Sequence, residues 1–325
     1  MRALVVERLA PDFAGCAVRD LETPTPGPGE VRIAVRAASV NFPDLLMTKG
    51  EYQFKPPLPF IPGLDLSGVI DAVGDGVSAG RIGEAVVAGA RTGGFAQFAV
   101  VPASAARAKP DRLSFAQGAA YGAAYLTAYV ALVRRAQLKP GETLLVQGAS
   151  GGVGLAAVDL AKALGAVVIA ASASDEKLAV VQAEYAPDAV LNVTGGFRER
   201  LKALTGGRGA DVIYDPVGGD VFEESLRCLA VEGRLLVVGF ASGRIGVAPA
   251  NLALIKSASI LGVRAGEYGR LHPELGVENL AAVDALAATG AVRPRVHAVV
   301  PLEHWREAFE MLSTRRVIGK AVIEL

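Results

Sequence analysis

Residues 31–37, Val31-Arg32-Ile33-Ala34-Val35-Arg36-Ala37, alternate apolar and polar side chains, the period-two pattern of a strand with one wetted face. A turn-rich stretch, Pro24 to Glu30, precedes them. Residues 1–8 read as a short strand, and residues 68–73, 84–88 and 96–101 as further strands bounded by Gly or Pro. The first ~110 residues thus predict an irregular, mostly antiparallel β portion. The pattern changes after Ser114: an Ala-rich helical stretch, residues 115–137, carries Thr127 in its middle. From Glu142 onward strands (143–147, 167–171, 189–192, 211–215, 234–239) alternate with helices (151–164, 175–183, 197–204, 221–229). Continuous apolar strands in such alternation predict a parallel sheet covered on both faces. Past Gly262 the chain mixes a helix near 278–289, a strand near 295–300, a helix near 302–313 and a final strand, 320–325. That last strand is expected to return to the first portion, because it cannot form a core alone.

Length and composition extend this picture. A chain of 325 residues, half of them apolar, is long enough for two domains with separate cores. Its 33 basic and 33 acidic side chains cancel, so there is no general attraction for polyanions and no dedicated nucleic-acid binding is expected. Cys16 and Cys228 are the only cysteines, which excludes a disulfide framework and a cysteine metal cluster and leaves two buried thiols as the expectation. The first residues lack a secretory pattern, and apolar stretches break before about 18 residues, so the expectation is a cytoplasmic chain with no membrane span.

The strongest chemical signal is the run from strand 143–147 through Gly148-Ala149-Ser150-Gly151-Gly152-Val153-Gly154 into a helix. Strand, glycine turn and helix are the context in which a dinucleotide pyrophosphate is bound. The spacing is G-x-x-G-x-x-G, a variation on the usual fingerprint. Gly151 and Gly152 let a phosphate approach the backbone, the helix N-terminus offers unpaired N–H groups, and Gly154 permits close packing of helix on strand. Ser150 and Val153 complete the turn. The following strand ends Ala170-Ala171-Ser172-Ala173-Ser174, without the acidic residue that commonly receives ribose hydroxyls in NAD binders; Asp175 comes three residues too late. Ser172 can donate to a 2′-phosphate and Lys177 is near enough to neutralise it, which favours NADPH over NADH. Ser174 as a helix cap and Lys177 as a solvated helix residue are compatible with that role. The loops 215–219, with Val217, and 239–243, with Phe240 and Ala241, also follow strands of the series and are placed to line the nicotinamide end. Phe240 serves there as an apolar wall, or as interdomain packing.

Residues 141–165, 211–219 and 225–243, together with Ser39-Val40-Asn41-Phe42-Pro43-Asp44, Gly50-Glu51-Tyr52-Gln53 and 56–63, resemble the zinc-independent quinone oxidoreductase branch of the medium-chain dehydrogenase/reductase superfamily. The resemblance covers essentially the whole chain. It implies an α/β fold in which a GroES-like β-rich catalytic domain, residues 1–119 and 263–325, flanks an inserted Rossmann doubly wound parallel sheet, residues 120–262. It also implies a homodimer or tetramer built partly on the Rossmann sheet edges.

Zinc-dependent relatives carry a Cys about where Asn41 lies, a His-Glu pair about where Leu64-Asp65 lies, and a four-Cys lobe. This chain has none of these, and His272, His297 and His304 all fall in the tail, so neither a three-ligand catalytic nor a four-ligand structural zinc set is present and no metal is expected. Without a Lewis acid, hydride transfer is easier to an electron-poor acceptor, a quinone or an activated double bond. In the resemblance, Asn41 holds the nicotinamide ribose or a substrate oxygen, Tyr52 donates a hydrogen bond or proton to the reduced oxygen, and Thr127 contacts the nicotinamide. Asp44 reads as a structural partner. Where the family often has Asn-Tyr this chain has Asn192-Val193, which removes a tyrosine that helps clasp the 2′-phosphate and leaves Asn192 there. Arg264 stands where close relatives often have an aromatic residue; it binds an anionic substrate group or cofactor phosphates, or forms an interdomain salt bridge. The expected function is NADPH-dependent reduction of a quinone. The alternatives are an enone, 2-alkenal or enoyl-thioester reductase and, outside enzymology, an NADPH-binding structural or RNA-associated module.

Overall fold

The structure, a computed structural model, describes residues 1–325. In chain order its elements are β1 (Arg2–Val6), β2 (Cys16–Asp20), β3 (Glu30–Ser39), α1 (Phe42–Lys49), β4 (Asp65–Val73), β5 (Ala85–Gly89), β6 (Phe98–Pro102), β7 (Ala106–Ala108) and α2 (Phe115–Tyr129). Then follow β8 (Thr143–Val146), α3 (Gly152–Ala163), β9 (Val167–Ser172), α4 (Asp175–Tyr185), β10 (Ala189–Asn192), α5 (Arg198–Leu204), β11 (Ala210–Asp215), α6 (Gly219–Cys228) and β12 (Leu229–Val237). The remainder comprises α7 (Ala250–Lys256), β13 (Ser259–Gly262), α8 (Ala265–Leu271), α9 (Pro273–Thr289), β14 (Val296–Pro301), α10 (Trp305–Ser313) and β15 (Lys320–Glu324). The chain divides into two compact units, Met1–Ala123 with Pro294–Leu325, and Ala124–Arg293.

The first unit is built on a sheet of order β14-β15-β3-β4-β5-β7, with β6 also paired to β3. The final strand β15 lies inside this sheet, parallel to β14 and antiparallel to β3, so it returns to the first portion as its apolar pattern requires. Phe309 of α10 anchors the core, meeting Phe13, Phe95 and Trp305 edge-on with centroids 5.4, 5.8 and 5.2 Å away. Helix α1 follows local rules. Asn41 caps it in an extended conformation, Pro43 sits in the first turn, and Gly50 ends it with φ 75°, a value glycine adopts without strain.

The second unit holds a six-stranded sheet of order β10-β9-β8-β11-β12-β13, parallel throughout. The chain winds outward from β8 to β10, then returns to β11 and winds the other way. The order reverses between β8 and β11, and this reversal is where such folds open a crevice beyond the strand carboxyl ends.

Two features differ from the sequence reading. The helix expected over 115–137 is α-helical only to Tyr129 and continues as a π-helical segment, Val130–Arg135. The later domain boundary falls after Arg293 rather than at 262/263. Residues past Gly262 join the second unit through side chains the pattern does not display: Arg134 Nε donates to Asn279 at 2.7 Å and pairs with Glu278 at 2.8 Å, and the Tyr185 hydroxyl donates to the Arg293 carbonyl at 2.7 Å.

Candidate functional site

In the second unit the carboxyl ends of the strands bring several expected residues together. Gly148 turns the chain at φ 59°, and a Cβ there would lie 3.1 Å from Val217 Cγ2, so the β8 and β11 loops touch. Asp215 orders the β11 loop: buried, its Oδ1 accepts the N–H groups of Val217 at 2.7 Å and Gly218 at 3.0 Å. Burial raises the pKa of this carboxyl and those two hydrogen bonds oppose the rise. The β12 loop is tied to the β11 loop where the Ala241 and Ser242 N–H groups donate to the Pro216 and Val217 carbonyls at 3.0 and 2.8 Å. Phe240 is 41% exposed beside these loops.

Within the glycine turn the three glycines do different things. A Cβ on Gly154 would lie 2.2 Å from the Gly148 carbonyl oxygen, so only glycine permits this helix-to-turn contact. A Cβ on Gly151 would meet only that oxygen at 3.4 Å, an ordinary contact, so this face of the turn is open. Gly151 is the N-cap of α3 and carries no capping side chain, while Ser150 is buried and Gly152 and Val153 are half-buried. The first turn of this 12-residue helix has no side-chain cap for its backbone N–H groups, the ends that carry the helix's partial positive charge.

Ser172 and Asn192 end adjacent strands and are register partners. Ser172 is buried, and its Oγ receives the Ser174 N–H at 3.4 Å, leaving its own proton to donate. Ser174 caps α4 through the Lys177 N–H, and burial lowers the Lys177 pKa. The Asn192 amide is committed: Nδ2 donates to Asp175 at 2.7 Å and Oδ1 accepts from the Thr194 N–H at 2.9 Å. It braces the loop rather than standing open toward a phosphate. Thr127 is half-buried on α2. Arg264 precedes α8, exposed, with Glu267 at 3.8 Å.

The first unit contains a buried polar cluster at the start of α1. Asp44, fully buried, accepts the Asn41 N–H at 2.8 Å and the Gly63 N–H at 2.9 Å, which makes it the structural partner expected. Asn41 Nδ2 donates to Asp65 Oδ2 at 3.0 Å and to the Ser39 carbonyl at 3.2 Å, and Asn41 Oδ1 accepts from Lys320 Nζ at 2.5 Å. Asp65 Oδ1 accepts the Ala123 N–H at 3.2 Å. Burial pushes the Asp44 carboxyl up to about 7 and raises Asp65, while Lys320 opposes both shifts; burial lowers Lys320 in turn. Tyr52 is half-buried against the same core.

Neither Asp65 nor Lys320 stood out as a site residue in the sequence. A lysine opening an apolar strand, Lys320-Ala321-Val322-Ile323, was the available signal, since Lys is almost never fully buried unless paired.

A family model described as an alcohol dehydrogenase GroES-like domain matches residues 27–111, and one described as a zinc-binding dehydrogenase matches residues 152–276. The chain is 41% identical over 302 residues to a quinone oxidoreductase-like protein 2 homolog of Nematostella vectensis, spanning 91% of this chain and 82% of that one. It belongs to the quinone oxidoreductase branch of the medium-chain dehydrogenase/reductase superfamily. It is an oxidoreductase with the GroES-like and Rossmann architecture of that family. The solved quinone oxidoreductase of Escherichia coli, complexed with NADPH, superposes with a TM-score of 0.90 at 29% identity over all of both chains. A structure described as an NAD-dependent alcohol dehydrogenase superposes with the same score at 33% identity over all of both chains.

The family model's zinc does not fit these residues. No group of three His, Cys, Asp or Glu side chains is placed to hold a metal ion. At Asn41 and Asp65 the neighbouring cation is the Lys320 ammonium, a donor with no lone pair for a metal. No helix is long and apolar enough to cross a membrane.

Proposed function

We propose that this oxidoreductase uses NADPH to reduce a quinone, without zinc. The observation that carries the reading is the open glycine turn at the N-terminus of α3, flanked at the end of β9 by Ser172 rather than by a carboxylate. In it, Ser150, Gly151, Gly152, Val153 and Gly154 receive the pyrophosphate, and Ser172 and Lys177 form the 2′-phosphate end, where Asn192 braces the adjoining loop. Asp175, the first acidic residue after β9, stands past the strand end and accepts the Asn192 amide N–H at 2.7 Å. Val217, Phe240 and Ala241 line the nicotinamide end, with Thr127 on the carboxamide side.

When bound, NADPH supplies the hydride. The chain's own residues orient the acceptor and place protons. Tyr52 has a phenol to donate to the oxygen that gains negative charge on reduction. Asn41 holds a polar oxygen of cofactor or substrate, and Arg264 receives an anionic group of either. A quinone suits such a site because its oxygens need no metal to accept charge.

The subunits are proposed to pair as a homodimer through β13, the edge strand of the second unit's sheet, where Ile260 is exposed, and the preceding α7, where Leu254 and Ile255 are exposed.

NADPH absorbance followed against quinones, 2-alkenals, enones and enoyl thioesters tests the reading. Consumption with quinones, and tighter binding of NADPH than of NADH, supports it. Turnover only with enoyl thioesters or enones replaces the substrate, and binding without turnover of any class removes the enzymatic role.

A further inference from the structure

We propose that Arg91, stacked on Phe54, is the receptor for an anionic substituent on the acceptor, so that this chain favours acidic quinones, carrying a carboxylate or a sulfonate, over neutral ones. The inference rests on the proposed function, which named a quinone and left its substituents open.

Four arginines lie over aromatic rings in this protein: Arg32 over Phe98, Arg91 over Phe54, Arg293 over Tyr185 and Arg306 over Trp305. Such stacking uses the flat face of the guanidinium and leaves the N–H groups at its edge, which need acceptors of their own. Three of the four find them within the protein. Arg32 bonds to Asp71 and to the Pro24 carbonyl, Arg293 donates to the Glu184 carbonyl at 2.9 Å, and Arg306 donates to the Asp12 carbonyl at 3.0 Å. Arg91 is exposed and has the ring alone, its Cζ 5.0 Å from the centroid, with neither a hydrogen bond nor an ion pair to the protein. The ring orients its head, and its edge stays free.

The backbone here is fixed. The Ala90 N–H donates to the Leu64 carbonyl at 2.8 Å and the Gly93 N–H to the Ile61 carbonyl at 2.7 Å, so Arg91 sits between two anchored residues. Phe54 is half-buried against the core of the first unit, and so is Tyr52, two residues earlier on the same loop. In the other direction, β5 pairs Gly89 with Asp65, which holds Asn41, and Arg91 follows that register partner by two residues. Chain and register thus place Arg91 near both side chains of this unit that were assigned to the acceptor.

A guanidinium edge offers two parallel N–H groups to a carboxylate or sulfonate, a match that an ammonium lacks. The exposed charges flanking Phe54 on its loop, Glu51 and Lys55, are of opposite sign, which leaves Arg91 as the uncompensated one. Arg264, by contrast, has Glu267 at 3.8 Å. Reduction leaves the substituent untouched: the quinone gains a hydride from NADPH and a proton, and the anionic group keeps its charge. Arg91 therefore binds ground state and transition state alike and acts on KM, not on kcat.

The test compares kcat/KM for 1,4-naphthoquinone and 1,4-naphthoquinone-2-sulfonate in the wild type, Arg91→Met, Arg91→Lys and Arg91→Glu. Each ratio of sulfonated to neutral acceptor is read against the wild type, so the difference in reduction potential between the two quinones cancels. In Arg91→Met the ratio falls about fivefold, between the worth of a surface ion pair and that of a buried charge-assisted hydrogen bond, and the fall lies in KM of the sulfonate. Arg91→Lys, which keeps the charge and loses the edge geometry, keeps part of the ratio. Arg91→Glu takes it below Arg91→Met by repulsion, and added salt lowers the ratio in the wild type more than in Arg91→Met.

A folded Arg91→Met protein with the wild-type ratio overturns the proposal. So does an equal loss for both acceptors, which would make Arg91 structural, or a ratio that falls in Arg264→Met and not in Arg91→Met. A wild type that reduces neither quinone refutes the quinone reading alone, because the same ratio is then read from calorimetric binding of 2-naphthalenesulfonate against 2-naphthol.

Discussion

Gly154 stands so close to Gly148 that a Cβ on Gly154 would lie 2.2 Å from the Gly148 carbonyl oxygen. Real Cβ atoms do not approach backbone so closely, so Gly154→Ala must push α3 away from the turn. Overpacking of this kind costs about 1–3 kcal/mol. We expect a lower thermal midpoint and weaker dinucleotide binding together. Gly151→Ala, whose Cβ would make only an ordinary 3.4 Å contact, is expected to keep its midpoint and lose binding. The paired melts and titrations separate a packing glycine from a ligand-facing one.

Lys177 tests the cofactor assignment. Its N–H is held by the Ser174 cap, a backbone bond that Lys177→Ala keeps while the ammonium and its stem are lost. A charge-assisted contact to phosphate is worth about 1.5–3 kcal/mol. NADPH affinity should fall by about tenfold or more while NADH affinity is unchanged, as read by fluorescence titration. An equal change for both cofactors would remove Lys177 from the 2′-phosphate end.

Asp44 predicts a direction of pH dependence. Unfolded, its carboxyl titrates near 3.8; in the fold burial pushes it up to about 7, with Asp65 raising it further and Lys320, the Asn41 N–H and the Gly63 N–H opposing. Between these values the folded protein holds a proton that the unfolded chain has released. The contribution to stability is therefore complete below about 4, declines as pH rises, and is lost above about 7. Asp44→Asn, which keeps one acceptor oxygen and cannot ionise, should be less stable overall and lack this slope. The gap between wild-type and variant midpoints should narrow from pH 5 to pH 8, measured by thermal denaturation. A constant gap would show that Asp44 is ionised throughout.

The β13 edge predicts association. Ile260 is 38% exposed on it, with Leu254 at 80% and Ile255 at 72% on the neighbouring α7. Light scattering should give twice the chain mass for the wild type. Ile260→Glu, placing a charge on the edge, should shift the protein to monomer with its near-ultraviolet spectrum intact. A wild-type monomer at micromolar concentration would contradict the pairing.

What the sequence displayed and what it hid differ by distance along the chain. The glycine turn was legible because strand, turn and helix occupy residues 143–163 without interruption, and the physics of each glycine is local. Alternating strands and helices likewise announced the parallel sheet. The amide cluster was not legible: Lys320 and Asn41 are 279 residues apart, and nothing in a period-two or 3.6 pattern records which side chains meet across strands. Asn192 shows the complementary limit. Its position beside Ser172 follows from the strand pattern, but its engagement with Asp175 and Thr194 depends on rotamers that spacing does not encode. The shift of the boundary to Arg293 has the same origin, in contacts of Arg134 and Tyr185 with residues far along the chain.

The place of β15 between β14 and β3 also sets a timetable for synthesis. A ribosome completes the second unit, whose residues are contiguous, while the first unit still lacks the strand that joins its two sequence segments. The portion made first is therefore the last to be sealed, and until Lys320–Glu324 emerges, the flank of β3 that β15 will cover stands open. If the second unit folds as soon as it emerges, the first unit at that stage is an unfinished sheet with an unpaired flank, the stage at which chaperone capture would matter most.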